Sequence, residues 1–265
     1  MSIKPAAVIG ACLIAGNFAA AAAELPGGFV YLADVDSGIR QDIRYAGSHD
    51  FIGRPVDGYL ANTCVLTERA ARALKEVQAE LAVRKLSLIA WDCYRPARAV
   101  RDFLAWSRKP QEARMKSEFF PGTDKARLFV LGYLASRSPH SRGSTVDLGI
   151  VPNDSPSPPA YDPAAPPKSC TAPKGERFED GTIDFGTGHD CLDPLAGTAS
   201  PNVSREAASN RRLLQVLMRR FGFRSYWREW WHFELVDEPF PQRSFDFPIV
   251  ARPSPPLTVK NNSVN

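Results

Sequence analysis

Between Thr67 and Leu81 the apolar side chains Ala70, Leu74, Val77 and Leu81 recur every three to four residues. That spacing puts them on one stripe of a helix for which Thr67 is the candidate cap. Residues 86–92, "LSLIAWD", are a short apolar run ending in a charge and read as a buried strand. Pro96 suits the first turn of a second helix through "ARAVRDFLAWSR". From Ser144 the period drops to two, with Val146, Leu148 and Ile150 on one strand face and Thr145 and Asp147 on the other. A third helix is expected over "SREAASNRRLLQVLMRRFGF", with Ser204 as cap, Leu214, Leu217, Met218 and Phe221 on a face, and Gly222 as its stop. The aromatic-rich "YWREWWHFEL" that follows reads as a strand. Upstream, "FVYLADV" and "IRQDIRYA" are strand-like and "GRPVDGYL" is turn-rich. The apolar "LFVLGYLASRS" (128–138) is compatible with helix or strand, and residues 151–200 read as a long Pro/Gly-rich loop. Separated helices and short strands without βαβ alternation predict an α+β fold: one domain over residues 24–252, with a small, mostly antiparallel sheet flanked by helices.

Composition narrows the function classes. The 265 residues are 44% hydrophobic and 23% charged with a formal charge of +4, ordinary for a globular protein and without the dense basic surface of a nucleic-acid binder. Residues 1–23 have a cation, a short apolar run and Ala21-Ala22-Ala23, the pattern of a cleaved secretory leader rather than of a ~20-residue membrane span. Export to the periplasm or cell envelope is therefore expected, with no span left after cleavage. A Pro/Ser/Asn-rich stretch at 253–265 reads as a flexible tail. Without the leader four cysteines remain, Cys64, Cys93, Cys170 and Cys191, and an even number in an exported chain points to disulfides. A helix leaving Cys64 and a strand returning to Cys93 favour that pair, and Cys170–Cys191 would then staple the long loop.

Two short segments carry candidate chemistry. In "SPHSRGSTVD", His140 stands at a turn and Asp147 on the strand after it; in "REWWHFEL", Glu229 precedes His232 by three residues. Two imidazoles and a carboxylate are suitable zinc ligands, and three protein ligands leave the open position of a catalytic site. Glu229 would then serve as a proton acceptor and donor. Residues three apart on a regular strand face opposite ways, so the chain is expected to bend at Arg228–Trp230 to bring Glu229 and His232 to one site.

These segments resemble the S-x-H-x-x-G-x-x-x-D and E-x-x-H motifs of the zinc D,D-peptidases. "IRYAGSHDFIGRPVDGY", "WDCYRPARAV" and "DFGTGHDCLD" narrow the resemblance to the D-alanyl-D-alanine dipeptidases, the group that includes the vancomycin-resistance dipeptidases. The resemblance implies the zinc D,D-peptidase (hedgehog-like) fold and one Zn2+ per chain on His140, Asp147 and His232, with Glu229 as general base and acid. It also implies that Arg95 steadies the oxyanion and that Tyr45, Ser138 and Asp190 hold a small D,D-dipeptide. Two departures are visible: His189 stands where an aromatic is expected and reads as a loop residue, and the stretch 151–183 is longer than the family minimum. Alternatives are a D,D-carboxypeptidase or endopeptidase acting on peptidoglycan stem peptides, and a zinc-stabilised binding module without catalysis.

Overall fold

Residues 24–253 of the protein are described by a computed structural model, so the expected leader and the expected tail beyond Pro253 lie outside the described residues. In chain order the elements are β1 (Phe29–Tyr31), α1 (Leu32–Val35), β2 (Arg40–Gln41), β3 (Val65–Thr67), α2 (Glu68–Ala82), β4 (Leu86–Asp92), α3 (Ala97–Ser107), α4 (Lys116–Phe119), β5 (Thr145–Pro152), α5 (Arg205–Arg220), β6 (Phe223–Tyr226) and β7 (Glu229–Leu235). Five strands form a sheet in the order β2-β4-β5-β7-β6, antiparallel except for the short β2–β4 pair; β1 and β3 form a separate antiparallel ribbon. The fold is α+β with a mostly antiparallel sheet flanked by helices.

The long helices arise where the periodicity places them. Thr67 Oγ1 accepts from Ala70 N, and Ser204 Oγ accepts from Ala207 N, closing the first turns of α2 and α5. Both helices bury their apolar stripes and pack beside each other across β4 and β6. Both disulfides pair as chain geometry favours, Cys64–Cys93 and Cys170–Cys191.

Three expectations need correction. "FVYLADV" extends only through Tyr31 before turning into α1, and "IRQDIRYA" is strand only at Arg40–Gln41 before a 3-10 turn at Arg44–Ala46. The alternation of β5 predicts one buried face, yet every residue from Thr145 to Val151 is buried. Its second face is covered by the irregular segment after it: a side chain at Gly149 would meet Trp91 at 2.6 Å and Thr182 at 3.2 Å. The 128–138 segment is neither helix nor strand; it runs in turns.

One buried turn carries a testable charge. Asp50 is fully buried; its Oδ1 accepts from Ile52 N and Gly53 N, while Oδ2 has no partner. Burial pushes its carboxyl up to about 8, although the two N–H donors pull the other way. The folded chain therefore keeps a proton that the unfolded chain releases near pH 4, so stability falls as pH rises from about 4 to about 8. Asp50→Asn keeps the acceptor and removes the titration. Its melting temperature relative to wild type is expected to climb by on the order of 5 °C between pH 5 and pH 8, read by calorimetry; parallel profiles would place the titration elsewhere.

Candidate active site

The sheet builds the site as a row across three strands. Asp92 on β4 lies opposite Asp147 on β5, which lies opposite His232 on β7. Both flanking strands are irregular beside that row. On β4 the register slips between Ala90 and Asp92, making Trp91 an extra residue. On β7, Phe233 pairs with Ser225 but Glu229 with Tyr226, so four steps along β7 match one along β6. Bulges re-aim side chains at the expense of ladder bonds. This one brings Glu229 Oε2 to 3.7 Å from His232 Nδ1. The irregularity thus falls within Glu229–Phe233, inside the strand and slightly beyond the expected bend at Arg228–Trp230.

His140 arrives from a short 3-10 turn, Pro139–Arg142, capped by Ser138 Oγ and closed by Gly143 in the left-handed conformation (φ 81°). A Cβ at Gly143 would stand 2.2 Å from the Phe29 ring, so glycine is required twice over. His140 Nδ1 donates to the Cys93 carbonyl at 2.7 Å, which leaves Nε2 as the free lone pair. That carbonyl belongs to a disulfide-bonded residue.

The three donor atoms converge. His140 Nε2 is 3.2 Å from His232 Nδ1 and 3.4 Å from Asp147 Oδ1; His232 Nδ1 is 3.0 Å from Asp147 Oδ1. A tetrahedral ion with bonds of about 2.05 Å has ligand–ligand edges of about 3.3 Å, so the set fits one zinc-sized ion. Asp147 Oδ1 is buried with no hydrogen-bond partner, an oxygen that such an ion would satisfy. On the outer side, His232 Nε2 faces Glu234 Oε1 at 3.7 Å. Burial opposes the charge on His232, but the Asp147 and Glu234 carboxylates prevail and push it up to about 10.

The remaining expected residues line the same cavity of about 200 Å3, with Tyr133, Leu134, Leu192, Tyr226 and Glu234 completing its wall. Burial raises the Glu229 carboxyl to about 8, and the nearby Asp147 and Asp190 carboxylates reinforce that shift. Arg95 is held by Asp92, with Nε to Oδ2 at 2.9 Å and a second guanidinium nitrogen at 2.8 Å, and its charge lies over the rings of Tyr45 and Phe103. Its third nitrogen donates to Ser138 Oγ at 3.4 Å. At the far end, Tyr45 OH donates to Asp190 Oδ2 at 2.7 Å.

His189 is a loop residue, as the sequence suggests, but its surroundings were not expected. It lies in irregular chain but is buried, stacked on Trp91 with centroids 4.5 Å apart, and its Nε2 has no partner although Asp190 Oδ1 is 3.6 Å away. Burial holds it well below the ordinary histidine range, so it is neutral. With Asp147 and Asp190 it forms a second close group of potential ligand atoms, sharing Asp147 with the first. Asp92 is the residue that sequence reasoning missed. It is wholly buried, accepts from Tyr59 OH at 2.6 Å and anchors Arg95. The signal available was a charge ending a buried strand three residues before Arg95.

Fold and site together describe an α+β domain with a small cavity whose three donor atoms could hold one metal ion. The family model for D-Ala-D-Ala dipeptidases of peptidase family M15 matches residues 26–158 and 177–250. A D-alanyl-D-alanine dipeptidase of Streptomyces coelicolor is 40% identical over 225 residues, 85% of this chain and 100% of that protein. One from Enterococcus faecalis is 36% identical over 222 residues, 84% of this chain and 98% of its own length. A solved structure of a vancomycin-resistance D,D-pentapeptidase, in complex with Zn(II), aligns over 67% of this chain and 76% of its own at 15% identity and a TM-score of 0.34, too slight a likeness to carry weight. The chain belongs to the M15 D-Ala-D-Ala dipeptidase family.

Proposed function

We propose that this chain is a zinc-dependent D-alanyl-D-alanine dipeptidase of the cell envelope, with His140, Asp147 and His232 holding the ion and Glu229 moving the proton. The observation that carries the reading is the convergence of three donor atoms 3.0–3.4 Å apart, with a fourth, unligated carboxylate beside them. When bound, zinc supplies Lewis acidity, lowering the pKa of a water and polarising the scissile carbonyl.

The rest falls to the protein. Glu229, buried beside the donor set, takes a proton from water at its carboxylate oxygen and returns it to the leaving amine. Arg95 donates from a fixed fork to the oxyanion as charge develops there, and Asp92 keeps the fork from turning away. Asp190, with Tyr45 bonded to it, faces the free ammonium, and Ser138 stands near the guanidinium at the other end. Trp230 and Trp231, between Glu229 and His232 in the chain, are buried and pack against Phe185 and His189. A cavity of about 200 Å3 is below the ~300–1,000 Å3 of drug-sized sites, which favours a dipeptide over a stem peptide. Two disulfides support an oxidising compartment and hence export.

The test is to incubate the zinc-loaded protein with D-Ala-D-Ala and, separately, with a pentapeptide ending in it. Release of D-Ala from the dipeptide alone is expected; cleavage of the pentapeptide alone would make the chain a carboxypeptidase. Arg95→Lys keeps a charge and loses the fork. It is expected to lower kcat by about a hundredfold with KM little changed, in steady-state assays; a loss confined to KM would make Arg95 a binding residue only.

A further inference from the structure

We propose that the Cys170–Cys191 disulfide positions the ammonium-binding end of the cavity, holding Asp190 where it meets the substrate; the inference rests on the reading of Asp190 given above. The family match omits residues 159–176, and this unmatched stretch contains Cys170. Its disulfide partner, Cys191, is the residue next to Asp190. An element outside the family pattern is thus covalently joined to the substrate end of the site.

Asp190 needs such support. Its φ of 55° is the left-handed conformation that a residue with a side chain keeps only when its surroundings over-determine it. Two of the restraints on this segment run through Cys170. Upstream of Asp190, Gly188 N donates to the Cys170 carbonyl at 2.9 Å. Downstream, the sulfur bridge fixes Cys191, and Leu192 N donates to the Phe119 carbonyl at 2.7 Å. Cys170 is itself tied to the neighbour of Phe119, its N donating to the Glu118 carbonyl at 2.9 Å. One residue therefore braces both sides of Asp190 against the same strap, α4. Side-chain contacts complete the cradle: Tyr45 OH on Asp190 Oδ2, and the buried His189 beside Oδ1.

The unmatched stretch is anchored in turn. Tyr161 stacks on His49 with centroids 4.2 Å apart, and Arg114 donates to the Pro163 carbonyl at 2.6 Å. His49 bonds Glu118, whose carbonyl receives Cys170 N. The stretch works as a buttress behind Asp190; because Asp190 lies close to Asp147, zinc content is measured beside the kinetics to tell its effect from metal binding.

The experiment compares kcat/KM for D-Ala-D-Ala with that for N-acetyl-D-Ala-D-Ala, which lacks the ammonium, in wild type, Asp190→Ala and Cys170→Ala/Cys191→Ala. The ratio of the two does not depend on how much enzyme is folded. Wild type is expected to favour the free dipeptide by about a hundredfold or more, and Asp190→Ala to erase that preference. The double-cysteine variant is expected to lose about tenfold of the preference through KM, with kcat and zinc content within about twofold of wild type. If that variant yields no folded enzyme, Cys170→Ala alone serves in the same comparison. A preference unchanged in the cysteine variants but lost in Asp190→Ala would overturn the buttress and leave the reading of Asp190 intact. A preference unchanged in Asp190→Ala would overturn both.

Discussion

Replacing Glu229 by glutamine is expected to lower kcat for D-Ala-D-Ala by about a thousandfold, within the range that general acid–base groups contribute. Glutamine has the shape of the carboxylate and fills the same buried place, but it cannot accept and return a proton. Glu229 is 7% exposed and sits 3.7 Å from His232 Nδ1, within reach of a water held at the donor set. Zinc content and KM are expected to stay within about threefold of wild type, because the three donor atoms and the Asp190–Tyr45 end are untouched. The measurement is steady-state kinetics with metal analysis on the same preparation. A loss below about a hundredfold would remove Glu229 from the proton path. Loss of metal in step with activity would instead make it a ligand.

Much of this arrangement was legible in the sequence, and the parts that were not share a cause. The helices α2 and α5 announce themselves because period and cap agree, Thr67 with Ala70–Leu81 and Ser204 with Leu214–Met218. The disulfides followed from the run of helix and strand between Cys64 and Cys93. The motif residues His140, Asp147, Glu229 and His232 were readable as a set, and the fold brings them together. Both bulges were less legible, since a bulge is a property of two strands in register and only one strand is visible in a local stretch. The conflict between Glu229 and His232 revealed that one existed but put it one step early. The burial of Asp147 and His189 was illegible for a related reason. Alternation and loop composition report average exposure, whereas the segment 177–193 folds back over β5 and buries both residues. Asp92 went unread because its burial and the bond from Tyr59 come only with the tertiary fold, and Arg95 three residues on was the one local signal.

Asp147→Asn is expected to abolish the response of the protein to zinc. Wild type binding zinc about a thousandfold above its Kd gains about 4 kcal/mol. For a domain of this size that is a rise in melting temperature of roughly 8–16 °C. Asparagine preserves the shape of the central ligand and removes its charge. Oδ1 of Asp147 is the atom both histidines approach, at 3.0 and 3.4 Å, and no hydrogen bond within the protein satisfies it. A neutral amide there leaves two imidazoles to hold the cation without an anionic ligand, so the variant is expected to carry less than about a tenth of an ion per chain after dialysis. Activity is expected to fall with it to background. The thermal shift matters more than the activity, because it separates loss of the ion from damage to the substrate end. A variant that melts like the metal-free wild type and ignores added zinc locates the ion at Asp147. One that still gains several degrees with zinc would move the site away from the strand row formed by Asp92, Asp147 and His232.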